Sequence, residues 1–163
     1  RMKKPTLILF CGLPGSGKTT LGKRLAKERG VTRFCTDDWM ADHGLDLQDD
    51  ALHEKSWKAL WATAWKRLAD GESLLFEDGL WTKNERDNIR ARAKELGLLT
   101  EFNYFDVPQE VLKKRVRQRN SAGGHGVAQI TDEQLDQYSK LFEKPTEAEL
   151  KLYDVTTIHR LSE

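Results

Sequence analysis

The stretch "GLPGSGKT", Gly12 to Thr19, constrains this chain more than any other part of it. It fits G-x-x-x-x-G-K-[ST] and follows a near-continuous apolar run, "TLILFC" (Thr6–Cys11). Glycines let successive backbone N–H groups converge on a phosphate, and the start of the next helix adds its partial positive charge. That geometry needs a buried strand to deliver the loop and a helix to leave it. "KTTLGKRLAKERG" supplies the helix, with Leu21, Leu25 and Ala26 on one face and Gly30 as its stop signal.

Further along, short apolar runs alternate with longer amphipathic ones. "RFCT", "SLLFED" (Ser73–Asp78), "LTEFNYFDV" and "DVTTIHR" read as strands. Helices are predicted from about Asp50 to Ala69, over "KNERDNIRARAKELG", over "QEVLKKRVRQRN" after Pro108, and over "DEQLDQYSKLFEK". This alternation predicts an α/β domain of three layers: a parallel five-stranded sheet with helices on both faces. The 163 residues suit one such domain. The charged fraction of 33% gives solvated faces, and a net charge of +1 removes any global field for nucleic acid or anionic membrane. No apolar stretch reaches the ~18 residues of a membrane span. The N-terminal "RMKKP" lacks the apolar core of a signal peptide, and Arg1 reads as an expression scar. Two cysteines inside apolar runs, Cys11 and Cys35, predict reduced thiols and a cytoplasmic protein.

The loop makes Gly12, Leu13, Pro14, Gly15, Ser16, Gly17, Lys18, Thr19 and Thr20 the phosphate-binding candidates. Lys18 offers a mobile charge to the outer phosphates and Thr19 a hydroxyl to Mg²⁺. No "NKxD" base-reading motif occurs, which favours ATP over GTP. Ligands of such sheets lie beyond the carboxyl ends of the strands. Asp37 and Asp38 follow the second strand, so one can take an acceptor proton while the other caps the next helix or acts as a second acid. Asp37 stands nearer the strand end and takes the base role. Glu77 and Asp78 repeat the arrangement after "LLF". Asp78, with Gly79 beside it, is assigned to Mg²⁺ or the acceptor. Arg115 and Arg119 share a helix face before the loose segment "NSAGGHGVAQ", as in a lid over about residues 115–130 that closes on phosphate. Trp57, Trp61 and Trp65 line one face; at least two of them read as packing, the alternative being a stacking wall for a ring in the acceptor pocket. Trp39 and Trp81, each beside an acid, are assigned to the acceptor pocket. The histidines show no metal-ligand spacing.

With "GLPGSGKTT", "TDDWM", "FEDGLWTKNERD", "FDVPQEVLKKRVRQRN" and "FEKPTEAE" in place, the chain resembles the small P-loop kinases. Over roughly Pro5 to Glu149 it is similar to the kinase domain of bacteriophage polynucleotide 5′-kinase, and to zeta toxins, chloramphenicol phosphotransferase and bacterial predicted kinases. The resemblance implies ATP and Mg²⁺ at Lys18 and Thr19, Asp37 as general base, Asp78 near the acceptor, and Arg115 and Arg119 in the lid. It departs at Met40, where the polynucleotide kinase has an arginine for nucleic-acid phosphate, and at Gly79, Leu80 and Trp81, where that kinase is polar. Both departures favour a small-molecule hydroxyl acceptor over a nucleic acid. A polynucleotide or tRNA-end kinase, a toxin-like metabolite kinase and an ATPase switch working through a partner remain as alternatives. The chain is expected to be monomeric or dimeric.

Overall fold

The computed structural model describes residues 4–161, so the readings made on Arg1 and Met2 lie outside the described residues. The elements run β1 (Thr6–Cys11), α1 (Lys18–Arg29), β2 (Thr32–Phe34), α2 (Thr36–Asp42), α3 (Asp50–Ala69), β3 (Leu74–Phe76), α4 (Lys83–Glu95), β4 (Leu99–Asp106), α5 (Gln109–Ala122), α6 (Asp132–Leu141), α7 (Glu147–Leu150) and β5 (Val155–Arg160). The five strands form one sheet in the order β2-β3-β1-β4-β5, and every pairing is parallel. The fold is thus the three-layer α/β arrangement read from the alternation. The four-residue α7 is the element with no counterpart in that reading.

The pleat of β1 sorts its side chains between two cores. Leu7, Leu9 and Cys11 face α3 and α4, where they join Leu60, Trp61, Leu68 and Ile89. Ile8 and Phe10 face the other way, toward Leu21 and Leu25 of α1. Strand β3 follows the same rule: Leu74 and Phe76 lie on the α3 side and Leu75 on the α1 side. Trp61 stacks on Phe76 with ring centroids 4.0 Å apart, and Trp57 and Trp65, partly buried, pack beside it, while Trp57 also reaches the cleft described below. Among the described residues no helix is long and apolar enough to cross a membrane.

One buried ion pair fastens the last third of the chain to the sheet. Arg86 on α4 has 0% of its side chain exposed and Glu149 on α7 has 2%. The guanidinium donates to Glu149 at 2.6 and 3.1 Å, to the Leu80 carbonyl at 2.8 Å and to the Glu143 carbonyl at 2.7 Å. The Tyr153 hydroxyl donates to Glu149 as well, at 3.1 Å. Removing one partner of such a pair strands a buried charge, which costs about 3–5 kcal/mol. Arg86→Met is therefore expected to lower the unfolding free energy by about that amount in urea titration, and a loss below ~1 kcal/mol would contradict this account of the pair.

Candidate active site

The loop between β1 and α1 closes over its own lysine. Lys18 Nζ donates to the Gly12 and Leu13 carbonyls at 3.1 and 2.9 Å. Burial pushes its ammonium below the ordinary value, with the Glu77 charge opposing. Gly15 and Gly17 take φ of 86° and 98°, the left-handed region that favours glycine. A Cβ at Gly12 would stand 2.9 Å from both Phe105 Cβ and Ser16 Oγ, so the tight turn has no room for a side chain. Ser16 Oγ is buried without a partner among the described residues. Such an orphaned donor inside a glycine cradle fits an anion held by the loop.

The two acids after β3 part company. Continuing the alternation of Leu74, Leu75 and Phe76, Glu77 falls on the α1 side and Asp78 on the α2 side. Glu77 accepts the Thr19 hydroxyl at 2.8 Å and pairs with Arg33 Nε. Asp78 accepts the Thr36 backbone N–H at 2.9 Å and also the Thr36 hydroxyl, so its carboxylate caps α2 from across the sheet. This corrects two expectations. The acid against the Thr19 hydroxyl is Glu77, whereas both oxygens of Asp78 are engaged at Thr36. The cap of α2 is Asp78, whereas Asp38 reaches back to Arg33 Nη1 at 2.6 Å. Thr19 and Glu77 offer hard oxygen ligands. No cluster of three or more acids, histidines or cysteines suited to a metal occurs among the described residues. That set fits Mg²⁺, which keeps several waters and takes phosphate oxygens alongside one or two protein ligands.

A cleft of about 1010 Å³ runs from the loop between α2, α3 and α6. Lys18, Thr19, Asp37, Asp38, Asp78 and Trp81 line it together with Arg115 and Arg119, so most of the expected residues converge. Arg115 Nη1 donates to the Gly15 carbonyl at 3.3 Å. Burial pushes the Arg119 guanidinium below its ordinary value, with the Asp37 charge opposing, and its Nε is buried without a partner among the described residues. His53 on α3 lies 3.4 Å from Asp37, and that hydrogen bond raises the imidazole above its ordinary value.

One of the expected residues is placed elsewhere. Trp39 does not line the cleft: its ring stacks on His43 at 4.0 Å and packs against the core. Met40, which stands where the polynucleotide kinase has an arginine, is fully buried as a core residue of α2. The aromatic partner of Trp81 is Tyr138 on α6, with centroids 5.0 Å apart, and Trp81 Nε1 donates to the Gly12 carbonyl at 3.3 Å. Sequence reasoning missed His53, Arg33 and Tyr138, which belong to no local motif.

The chain matches a family model described as AAA domain (AAA_33) over residues 7–145. It is 30% identical over 140 residues to an adenylate kinase of Deinococcus deserti, covering 78% of this chain and 71% of that protein. A protein of Chloroflexus aurantiacus designated a kinase superposes with a TM-score of 0.75 at 19% identity, covering 97% of this chain and 89% of the other. A gluconokinase from Sinorhizobium meliloti superposes at 0.63 with 21% identity, covering 100% and 86%. At these identities the superpositions show a shared fold.

Burial raises Asp78 from 3.8 to about 6, against the two hydrogen bonds from Thr36. Between those values the folded protein holds a proton that the unfolded chain has released. This group therefore makes stability fall as pH rises from about 4 to about 6, and adds no further change above that. Asp78→Asn removes the titration. The stability of the variant relative to the unsubstituted protein is expected to improve across that window in urea titrations at pH 4 and pH 7. A constant difference would show that Asp78 titrates normally.

Proposed function

The chain belongs to the AAA domain family and is an ATP-dependent kinase, and on that premise we propose that it transfers the γ-phosphoryl group of ATP to the hydroxyl of a small molecule that carries no phosphate. The charge division of the cleft carries this reading. Its lysines and arginines, Lys18, Lys23, Arg115 and Arg119, all belong to α1 and α5 at the phosphate end. Asp37 lies within the field of Arg119, while the side formed by α3, α4 and α6 presents Asp50, Glu54 and Glu85 beside Trp57 and Tyr138. A phosphate arriving there meets carboxylates and no guanidinium to hold it. A neutral or amine-bearing polyol meets hydrogen-bond acceptors and aromatic faces. This argues against both a 5′-hydroxyl polynucleotide and a nucleoside monophosphate as acceptor.

In this reading the acceptor oxygen attacks the γ-phosphorus in line, the bond to the β–γ bridging oxygen breaks, and ADP leaves with that electron pair. Asp37 takes the hydroxyl proton, and His53 holds its carboxylate toward the cleft. Lys18 exchanges its two carbonyl partners for phosphate oxygens, and Arg115 and Arg119 meet the charge that develops on the transferring group. Thr19 and Glu77 would hold Mg²⁺, directly or through its waters, and the ion would supply positive charge to neutralise the phosphates. Residues of about 115–130 act as the lid. Three contacts support closure over the acceptor end: Gln48 donates to the Gln129 carbonyl at 2.8 Å, His125 meets Asp42 at 2.5 Å, and Gly126 abuts Asp38 so closely that a Cβ would run into its Oδ1. Such closure keeps water from the phosphoryl group.

The test is ATP-dependent phosphorylation read by mass across polyols, amino sugars and nucleosides, with AMP and a 5′-hydroxyl oligonucleotide as the opposing panel. Transfer is expected within the first set and not the second; transfer to AMP or the oligonucleotide would reverse the reading. With the acceptor in hand, Asp37→Asn is expected to lower transfer ~10²-fold or more while ADP affinity stays within about threefold. A normal rate would remove Asp37 from the base role.

A further inference from the structure

Arg33, the middle residue of β2, does not line the cleft, yet it joins the two acids that flank it. Nε donates to Glu77 and Nη1 to Asp38 at 2.6 Å, with 14% of the arginine side chain and 4% of that of Glu77 exposed. The other oxygen of Glu77 accepts the Thr19 hydroxyl at 2.8 Å. One guanidinium therefore links the phosphate end, through Glu77 and Thr19, to the first turn of α2, which carries Asp37 and Asp38. Its remaining nitrogen, Nη2, is buried without a partner among the described residues. A buried donor left unpaired is costly, so the side chain is held for its two carboxylates at the expense of its third contact. The helix opposite is cut to fit. Gly22, buried in α1, has Glu77 and Arg33 where its side chain would be: a Cβ there would run into Glu77 Oε1 and come within 3.3 Å of Arg33 Nε.

We propose that Arg33 is a positioning residue for the phosphoryl-transfer site. It aims Glu77 at Thr19, so that this pair is preset for the cation that accompanies the nucleotide, and through Asp38 it ties the first turn of α2 to the same frame. The proposal rests on the kinase reading above. Lysine cannot replace arginine here, because a point ammonium lacks the fork that spans two carboxylates. Glycine at position 22 is required because the pair occupies the space of its side chain.

The test uses a fluorescent ADP analogue titrated in EDTA and in stepped MgCl₂. Groups that orient metal ligands change metal affinity by about 10–100-fold when removed. Arg33→Gln is accordingly expected to raise the Mg²⁺ concentration for half-maximal tightening by about that factor, with the affinity in EDTA unchanged within about twofold. Arg33→Lys should fall between the two. Gly22→Ala, which alters no charge, should shift the Mg²⁺ dependence in the same direction as Arg33→Gln. The double variant Arg33→Gln/Glu77→Gln should be no worse than Glu77→Gln alone, because Arg33 acts through that carboxylate. A normal Mg²⁺ dependence in Arg33→Gln, full additivity with Glu77→Gln, or equal losses in EDTA and in Mg²⁺ would each overturn the proposal. If the unsubstituted protein binds no ADP, the kinase reading fails and the role of Arg33 falls with it. If it binds ADP and Arg33→Gln behaves identically, only the role of Arg33 falls.

Discussion

The guanidinium of Arg86, wholly removed from solvent, is the constraint from which the rest of the structure hangs. A charge in that position is tolerated only when each of its donors finds an acceptor, and its acceptors come from three separate stretches: Leu80 after β3, Glu143 after α6, and Glu149 on α7. The Leu80 carbonyl also accepts the Cys11 thiol at 3.1 Å, at the end of β1. The next residue is Trp81, whose indole donates to Gly12, and Gly79 approaches Gly12 so closely that a Cβ would collide with its carbonyl. The knot around Arg86 thus fixes how the turn after β3 sits against the phosphate loop. The site inherits its spacing from a pair that touches none of the reacting groups.

What could be read from the sequence is what local chemistry decides. The strands β1, β3 and β4 announce themselves as apolar runs because a parallel sheet is covered on both faces. The loop announces itself because its backbone conformation needs glycine at positions 15 and 17. Arg33 and Arg86 carry no such signal. Their carboxylate partners Glu77 and Glu149 lie 44 and 63 residues away, and a single arginine in a helix or strand looks the same whether it is solvated or paired. Glu77 and Asp78 are an intermediate case. Read as adjacent acids they are interchangeable, but the two-residue period of the strand before them already sends one toward Thr19 and the other toward α2. Met40 and Trp39 mislead for the converse reason: α2 turns both toward the core, so proximity to Asp37 in sequence does not become proximity in the cleft.

The cleft separates its two tasks by element. The cationic side chains ride on α1 and α5, the pieces that surround the phosphate loop, while α3 and α4 bring acids and α6 brings Tyr138. The shape of the loop is thus fixed by backbone geometry common to any chain with this motif. In the proposed reaction acceptor choice is left to helix faces that can vary without disturbing the sheet. Arg33 sits at the seam between these regions, the one guanidinium close to both Glu77 and Asp38.

The lysine folded onto its own loop has a consequence for the energetics of nucleotide capture. Lys18 donates to two carbonyls of its own loop, and burial lowers its pKa from the ordinary value. In the proposed reaction phosphate capture is therefore an exchange of partners, in which two carbonyl dipoles give way to full negative charge, and its enthalpy carries the loss of two hydrogen bonds already made.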